Sequence, residues 1–258
     1  MSIQVLVTRP EAQASGWVQR LRERGFEASA LPLIGIAPPA DPAPVLAAWV
    51  RLADYRLAVF VSPNAAEQFF ALRPGAAAWP AGTLAGSTGP GTSLALRGFG
   101  VPAASLVAPA SDAPQFDSET LWALLAPMAW RAQGVLIVRG DGGRDWLADT
   151  LRAQGALVTP LCAYRRVAPS FTPAQRSLLD AALAQPAAHV WLFSSSEAIA
   201  ALVAAAPGAA WSAVRAIATH PRIADKARDA GFGDVILARP ELEAVAACLQ
   251  SLPLTPAP

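Results

Sequence analysis

The sequence is poor in the residues that most often hold cofactors. Its 258 residues include two cysteines (Cys162, Cys248), two histidines (His189, His220), two tyrosines (Tyr55, Tyr164) and one lysine, Lys226. The cysteines lie far apart without C-x-x-C spacing and the histidines are isolated, so no metal cluster is legible and no metal is expected. Two lone cysteines fit reduced thiols in a cytoplasmic protein. Neither sign of charge is in excess, with 20 Lys plus Arg against 19 Asp plus Glu. A nucleic-acid partner calls for a basic excess or stripe, and neither is visible. A long apolar run is also missing: the longest, 198–211, is broken by Pro207 and Gly208 and falls short of the ~20 residues that span a bilayer. The first nine residues lack a basic stretch followed by an apolar one, so neither a signal peptide nor a membrane association is expected.

What the sequence does contain is apolar residues, at 53%, with only 15% charged. That excludes a disordered chain, and the length suggests about two domains at ~150 residues each. The positive charge is almost all arginine. Such a bias fits an alanine-rich composition, or it supplies planar forks for carboxylates or phosphates.

Short aliphatic runs alternate with helical patterns. Strands are expected at 5–7, 57–61, 83–86, 105–107, 135–138, 156–161, 190–193, 215–218 and 235–237. A helix over 11–24 places Ala14, Trp17, Val18 and Leu21 on one face, with Gly25 closing it. Another helix follows over 64–72. Alternating strands and helices imply parallel sheets with helices on both faces, and continuously apolar strands agree with burial on both sides.

The chain also repeats itself. Val5-Leu6-Val7-Thr8-Arg9 matches Val135-Leu136-Ile137-Val138-Arg139, and Leu21 to Gly25 matches Leu151 to Gly155. Val61-Ser62 matches Phe193-Ser194, and Gly98-Phe99-Gly100 matches Gly231-Phe232-Gly233. Offsets that stay nearly constant in the same order argue for a duplicated βα array, hence two similar lobes. Proline-rich stretches at 31–44 and 163–173 read as linkers. Cutting at both gives a discontinuous domain, 1–35 with 170–258, and a continuous one, 36–169. Each lobe then takes its first βα unit from the opposite half of the duplication, and the two crossings would run side by side. The proline-rich tail 252–258 is expected to fray.

In open parallel sheets, ligands bind beyond the carboxyl ends of the strands. Those segments are Thr8-Arg9-Pro10, Ser62-Pro63-Asn64, Gly86-Ser87-Thr88, Arg139-Gly140-Asp141, Ser194-Ser195-Ser196 and Thr219-His220-Pro221. Most open a helix, whose free N–H groups and dipole suit anions. Two lobes with such rims would make a cleft for a small polyanion. Simple capping explains many of the same residues: Ser194 with Glu197 reads as a capping box, and Ser62 and Asn64 as caps. The stretch from Gly86 to Ser93 approaches a phosphate loop but has Thr92 where lysine is needed. No dinucleotide fingerprint or nucleophile elbow occurs. His220 follows a strand and is either an acid–base group or a cap, whereas His189 begins a strand, away from the rim. Tyr164 ends a strand at the second linker beside Arg165 and Arg166, where a phenol can donate a proton to a leaving oxygen or simply pack.

Taken in order, Val5-Leu6-Val7-Thr8-Arg9-Pro10, Leu31-Pro32-Leu33-Ile34, Phe60-Val61-Ser62-Pro63-Asn64-Ala65, Val135-Leu136-Ile137-Val138-Arg139-Gly140 with Gly143-Arg144, Tyr164-Arg165-Arg166, Phe193-Ser194-Ser195-Ser196-Glu197-Ala198 and Ala216-Ile217-Ala218-Thr219 resemble the uroporphyrinogen-III synthase family over essentially the whole chain. The resemblance implies two doubly wound, flavodoxin-like α/β domains joined by a two-stranded linker. It implies a cofactor-independent lyase of heme biosynthesis that closes hydroxymethylbilane, a linear tetrapyrrole with several carboxylates, with loss of water and inversion of the last pyrrole ring. By the same resemblance Tyr164 would assist departure of the hydroxyl. Ser62, Ser194, Ser195 and Thr219 would bind substrate through side chain or backbone, and Arg9, Arg139 and Arg144 would either pair with its carboxylates or brace loops; Thr8, Ser87 and Gly140 join the expected binding set from their places at the strand ends. The chain departs from the commoner family pattern around 86–92, and His220-Pro221-Arg222 is one variant of a loop that differs widely. A monomer is expected, since one chain supplies both lobes. The alternative from the residues alone is a non-catalytic two-lobed binder of a small polyanion.

Overall fold

The strands that build the centres of both sheets carry short continuous apolar runs, and each is followed by a helix. The computed structural model describes residues 3–252, so the proline-rich tail lies outside the described residues except for Leu252. The elements run β1 (Gln4–Val7), α1 (Glu11–Arg22), β2 (Glu27–Ala30), β3 (Gly35–Ala37), α2 (Ala43–Val50), β4 (Leu57–Phe60), α3 (Pro63–Ala71), β5 (Leu84–Ser87), α4 (Pro90–Gly98), β6 (Leu106–Val107), α5 (Ser118–Leu125) and β7 (Gly134–Gly140). They continue with α6 (Trp146–Ala153), β8 (Leu157–Val167), α7 (Pro173–Ala184), β9 (His189–Phe193), α8 (Ser196–Ala205), β10 (Arg215–Ala218), α9 (Pro221–Asp229), β11 (Asp234–Leu237) and α10 (Leu242–Ser251).

The chain divides into two compact units. One holds the chain up to Gly35 and again from Val167, and the other is Ile36–Arg166. The first unit has a five-stranded sheet in the order β2-β1-β9-β10-β11, with every pair parallel. The second has the order β3-β8-β7-β4-β5-β6, parallel from β8 to β6. β1 and β7 take equivalent places, as do β9 and β4. Each sheet therefore follows the doubly wound, flavodoxin-like order, in which strand order reverses beside a central strand. The two segments that link the units, β3 and β8, lie side by side, the two-stranded linker.

In the first unit Val5, Val7, Val190, Leu192 and Ile217 pack on one face against Trp17 and Leu21 of α1 and Val245 and Leu249 of α10. α1 ends where the repeat pattern places its glycine: Gly25 takes φ +83°, and Phe26 N–H donates to Leu21 C=O at 3.1 Å, a left-handed closure that favours glycine. In the second unit the strands bury both faces. Leu57 and Val59 pack with α5 and α6, while Ala58 and Phe60 pack with Trp49, Phe69, Phe70 and Trp79. Phe60 meets Phe69 edge-on at 5.5 Å, and Trp49 stacks on Phe69 at 4.5 Å. Burying each such ring contributes ~1.5–3 kcal/mol, which fixes α3 and the turn before it against the sheet.

Two strands escape the sequence pattern. β2 is Glu-Ala-Ser-Ala and β3 is Gly-Ile-Ala, neither with the β-branched run that marks a strand. Pairing with β1 and β8 makes them strands despite their composition. β8 also runs six residues past its expected end at 161, because it forms the linker as well as the sheet.

Candidate active site

The strand-order reversal of the second unit falls between β7 and β4, and the side chains beyond their carboxyl ends converge there. β4 leads into Ser62, which caps α3: its Oγ accepts from Ala65 N–H at 3.1 Å. Ser62 Oγ also lies 3.2 Å from Tyr164 Oη. Tyr164 is 1% exposed and sits where β8 bulges. Arg139 pairs with Cys162 but Gly140 pairs with Tyr164, so Ala163 is the extra residue, and such a bulge re-aims the following side chain. The ring lies against Gly140, where a Cβ would come within 2.7 Å of Tyr164 Cζ.

Two further residues complete the cluster. Arg166 donates from Nη2 to Tyr164 Oη at 3.2 Å, and its guanidinium lies 5.3 Å from the centre of the phenol ring. Asp141 follows Gly140. Its N–H donates to Tyr164 C=O at 3.1 Å, and its carboxylate accepts from Arg166 N–H at 3.1 Å and lies 3.9 Å from Arg166 Nη1. A phenol, a hydroxyl, a guanidinium and a carboxylate thus form one connected network at the sheet edge.

The other two arginines of this rim brace its loops. Arg139 pairs with Asp145 and donates to Gly143 C=O at 2.9 Å. Arg144 grips Glu119 with two bonds of 2.5 and 2.9 Å, which raise its pKa. Ser87 is fully buried. It donates to Gly89 C=O at 2.9 Å and accepts from Ser93 Oγ at 2.9 Å, so its hydroxyl is closed within the loop.

The first unit's reversal point lies between β1 and β9. Thr8 is buried, and its Oγ1 donates to Leu192 C=O at 2.8 Å, tying the two strands together. Arg9 lies 4.6 Å from the centre of the Trp17 ring, whose indole also has Arg20 near it. Residue Arg9 is only partly covered as a whole, but its Nε is sealed from solvent and has no acceptor among the described residues. Burial, with Arg20 adding, pulls its pKa down to about 10. Ser194 and Thr219 follow β9 and β10 directly, with Thr219 N–H donating to Phe193 C=O at 3.1 Å. No hydrogen bond engages either hydroxyl among the described residues.

Capping differs from the expected pattern by one residue. α8 begins at Ser196, so Ser195 is the cap, and its Oγ accepts from Glu197 N–H at 3.2 Å and donates to the Glu197 carboxylate at 3.0 Å. Ser194 is left outside the helix. Asn64 lies inside α3 rather than capping it. His220 caps α9 through Nδ1, which accepts from Arg222 N–H at 3.1 Å, and His189 Nδ1 bonds Gln185 C=O at 2.9 Å. Among the described residues no group of three or more His, Cys, Asp or Glu could hold a metal ion, and no helix is long and apolar enough to cross a membrane.

A family model described as Uroporphyrinogen-III synthase HemD matches residues 15–247. The chain belongs to the uroporphyrinogen-III synthase family. It is 30% identical to a uroporphyrinogen-III synthase of Synechococcus elongatus (strain ATCC 33912 / PCC 7942 / FACHB-805) over 220 residues, 81% of this chain and 78% of the relative. Two solved structures share the fold. A mutant uroporphyrinogen III synthase of the extremely thermophilic bacterium Thermus thermophilus aligns with TM-score 0.56 and 18% identity over 96% of each chain. The uroporphyrinogen-III synthetase of Helicobacter pylori 26695 aligns with TM-score 0.57 and 15% identity over 98% of this chain and all of its own. As a uroporphyrinogen-III synthase family member, the chain is an enzyme of tetrapyrrole biosynthesis.

Sequence reasoning about this uroporphyrinogen-III synthase family member passes over Arg166 and Asp141 as site groups. Alternation along β8 was the available signal. Tyr164 and Arg166 are two apart and share a face, while Arg165 points elsewhere and donates to Pro38 C=O at 3.3 Å.

Proposed function

We propose that Tyr164 is the proton donor when this enzyme closes hydroxymethylbilane to uroporphyrinogen III, with Ser62 and Gly140 seating its ring. The observation that carries this reading is the Tyr164 phenol itself, buried at the strand-order reversal and hydrogen-bonded at 3.2 Å to the cap hydroxyl of Ser62. In the reaction the terminal pyrrole nitrogen pushes its lone pair toward the hydroxymethyl carbon. The C–O bond breaks, its electron pair leaves with the oxygen, and a proton makes the departing group water. A phenol whose proton is aimed at that oxygen lowers the barrier by general acid catalysis. The resulting electrophilic methylene is attacked by a pyrrole carbon of the same chain. Holding the two ends together replaces a bimolecular encounter, and one terminal ring is inverted on closure.

The substrate's carboxylates call for N–H donors and cations. Ser194 and Thr219, whose hydroxyls make no hydrogen bond among the described residues, and Arg9, whose sealed Nε has no acceptor among them, are the first unit's contributors in this reading. The N–H groups opening α3 and α8, beyond Ser62 and Ser195, suit the same anions. In this reading the side chains of Thr8, Ser87, Arg139 and Arg144, engaged within the protein, shape the rim, as does the backbone of Gly140. We assign a single-chain working form, since one chain supplies both units, and a cytoplasmic location, which the two free cysteines suit. No nucleic acid or membrane enters this reading, in keeping with the near-zero net charge.

The test generates hydroxymethylbilane in situ, adds the protein, oxidises the product and separates the porphyrin isomers. Spontaneous closure gives type I. Dominant type III porphyrin with the wild type, and a kcat lowered at least about tenfold by Tyr164→Phe, is the expected result. Type I alone from folded protein would overturn the assignment in favour of a non-catalytic binder.

A further inference from the structure

We propose that Arg166, anchored by Asp141, is a positioning residue that makes the Tyr164 phenol an outward hydrogen-bond donor. The inference rests on the reading of Tyr164 as proton donor and adds the group that orients its proton. A phenol oxygen has one proton and two acceptor sites. A guanidinium has no acceptor, so the 3.2 Å contact from Arg166 Nη2 fills one of those sites and cannot receive the phenol's proton. Ser62 Oγ accepts from Ala65 N–H as the cap of α3 and keeps its own proton and a second acceptor site, so across its 3.2 Å contact with Tyr164 Oη either oxygen can donate. When Ser62 is the donor, both acceptor sites of the phenol are filled and its proton is left for an incoming oxygen, an arrangement that the Arg166 contact favours by occupying the other site.

The second effect of Arg166 is electrostatic. As the phenol gives up its proton, negative charge grows on Oη, and a fixed guanidinium beside it stabilises that charge without reorganising. Arg166 is held for this on two sides. Its backbone N–H donates to the Asp141 carboxylate at 3.1 Å, and the same carboxylate oxygen lies 3.9 Å from Nη1. Asp141 N–H in turn donates to Tyr164 C=O, so one short turn after β7 fixes both the tyrosine backbone and the arginine that faces its oxygen. The side chain of Arg166 remains 26% exposed, on the rim rather than in the core.

The experiment is a double-mutant cycle in the coupled assay, with kcat, KM and melting temperature measured for wild type, Tyr164→Phe, Arg166→Gln and the double variant. Arg166→Gln is expected to lower kcat about tenfold, the size of one hydrogen bond to a charged group, with KM within about twofold. On the Tyr164→Phe background the same change is expected to do less than about twofold, because its target is gone. Arg166→Lys, which keeps a charge and a donor but not the planar fork, is expected to recover most of the lost kcat, and Arg166→Met, which removes both charge and donors, runs through the same cycle if Arg166→Gln does not fold. An equal loss on both backgrounds, or a loss confined to KM, would overturn the inference and leave Arg166 as a substrate contact or a brace. Tyr164→Phe with undiminished kcat would instead overturn the reading of Tyr164 itself, and the two failures are told apart by that single variant.

Discussion

The ring of Tyr164 packs on the backbone of Gly140 with no room for a side chain between them: a Cβ there would stand 2.7 and 2.8 Å from two ring carbons. The ring is fully buried and cannot swing away as the end of a flexible chain would. Gly140→Ala is therefore expected to displace the phenol from Ser62 and Arg166. Overpacking costs about 1–3 kcal/mol, and the loss of kcat should exceed what that instability explains. The check is kcat measured well below the variant's melting temperature. Wild-type kcat in Gly140→Ala would mean that the ring position is not critical.

Ser62 has two tasks, capping α3 and contacting the phenol. Ser62→Ala removes both, so stability should fall by about 1 kcal/mol, as for other cap deletions, and kcat should fall as well. Ser62→Thr keeps a hydroxyl for each task and should stay close to wild type in both. Denaturant midpoints and turnover, measured on the two variants together, decide this. Equal turnover in Ser62→Ala and wild type would confine Ser62 to capping.

The hydroxyl residues of the rims fall into two groups with opposite expected effects. Thr8 and Ser87 are engaged inside the protein, by Leu192 C=O and by Gly89 C=O with Ser93. Thr8→Val and Ser87→Ala each remove buried hydrogen bonds and should lower stability by about 1 kcal/mol, with KM unchanged, while Leu192 C=O and Gly89 C=O keep the N–H groups of Thr8 and Ser93 as donors. Ser194→Ala and Thr219→Val remove no internal bond and should leave the melting temperature within about 2 °C, an effect well under 1 kcal/mol. Their KM should rise instead. A raised KM for Thr8→Val would move Thr8 into the binding set.

Much of the fold is legible in the sequence because its central strands are buried on both faces. β1, β4, β7, β9 and β10 are short apolar runs that a window of a few residues detects, and the internal repeat aligns β1 with β7 and β4 with β9. β2 and β3 are not legible because pairing, not composition, makes them strands. The site divides along the same line. A helix-opening serine such as Ser62 is visible locally, although the cap of α8 falls at Ser195 rather than Ser194 because the helix starts one residue later. The link from Tyr164 to Arg166, Asp141 and Gly140 depends on a bulge at Ala163 and on the β7–β8 register, and no local pattern encodes either.

Among the described residues Arg9 combines a sealed, unbonded Nε with a guanidinium over Trp17 and makes no ion pair. The indole face offsets part of that burial, by ~0.5–2 kcal/mol. Because burial lowers its pKa to about 10, the unfolded chain binds this proton more tightly than the folded one. The destabilisation is therefore present in full at neutral pH and fades only as pH rises from about 10 toward the ordinary arginine value. A carboxylate brought by the substrate would relieve it at any lower pH. Arg9→Met, which keeps the stem on Trp17 without the charge, should melt higher than wild type in buffer, by about 1 kcal/mol of added stability. It should also bind less tightly, with a raised KM and a smaller rise in melting temperature on adding the porphyrinogen product. The decisive comparison is the melting temperature of both proteins with and without product. Equal product-induced shifts would show that Arg9 meets no carboxylate and that its charge is tolerated for packing alone.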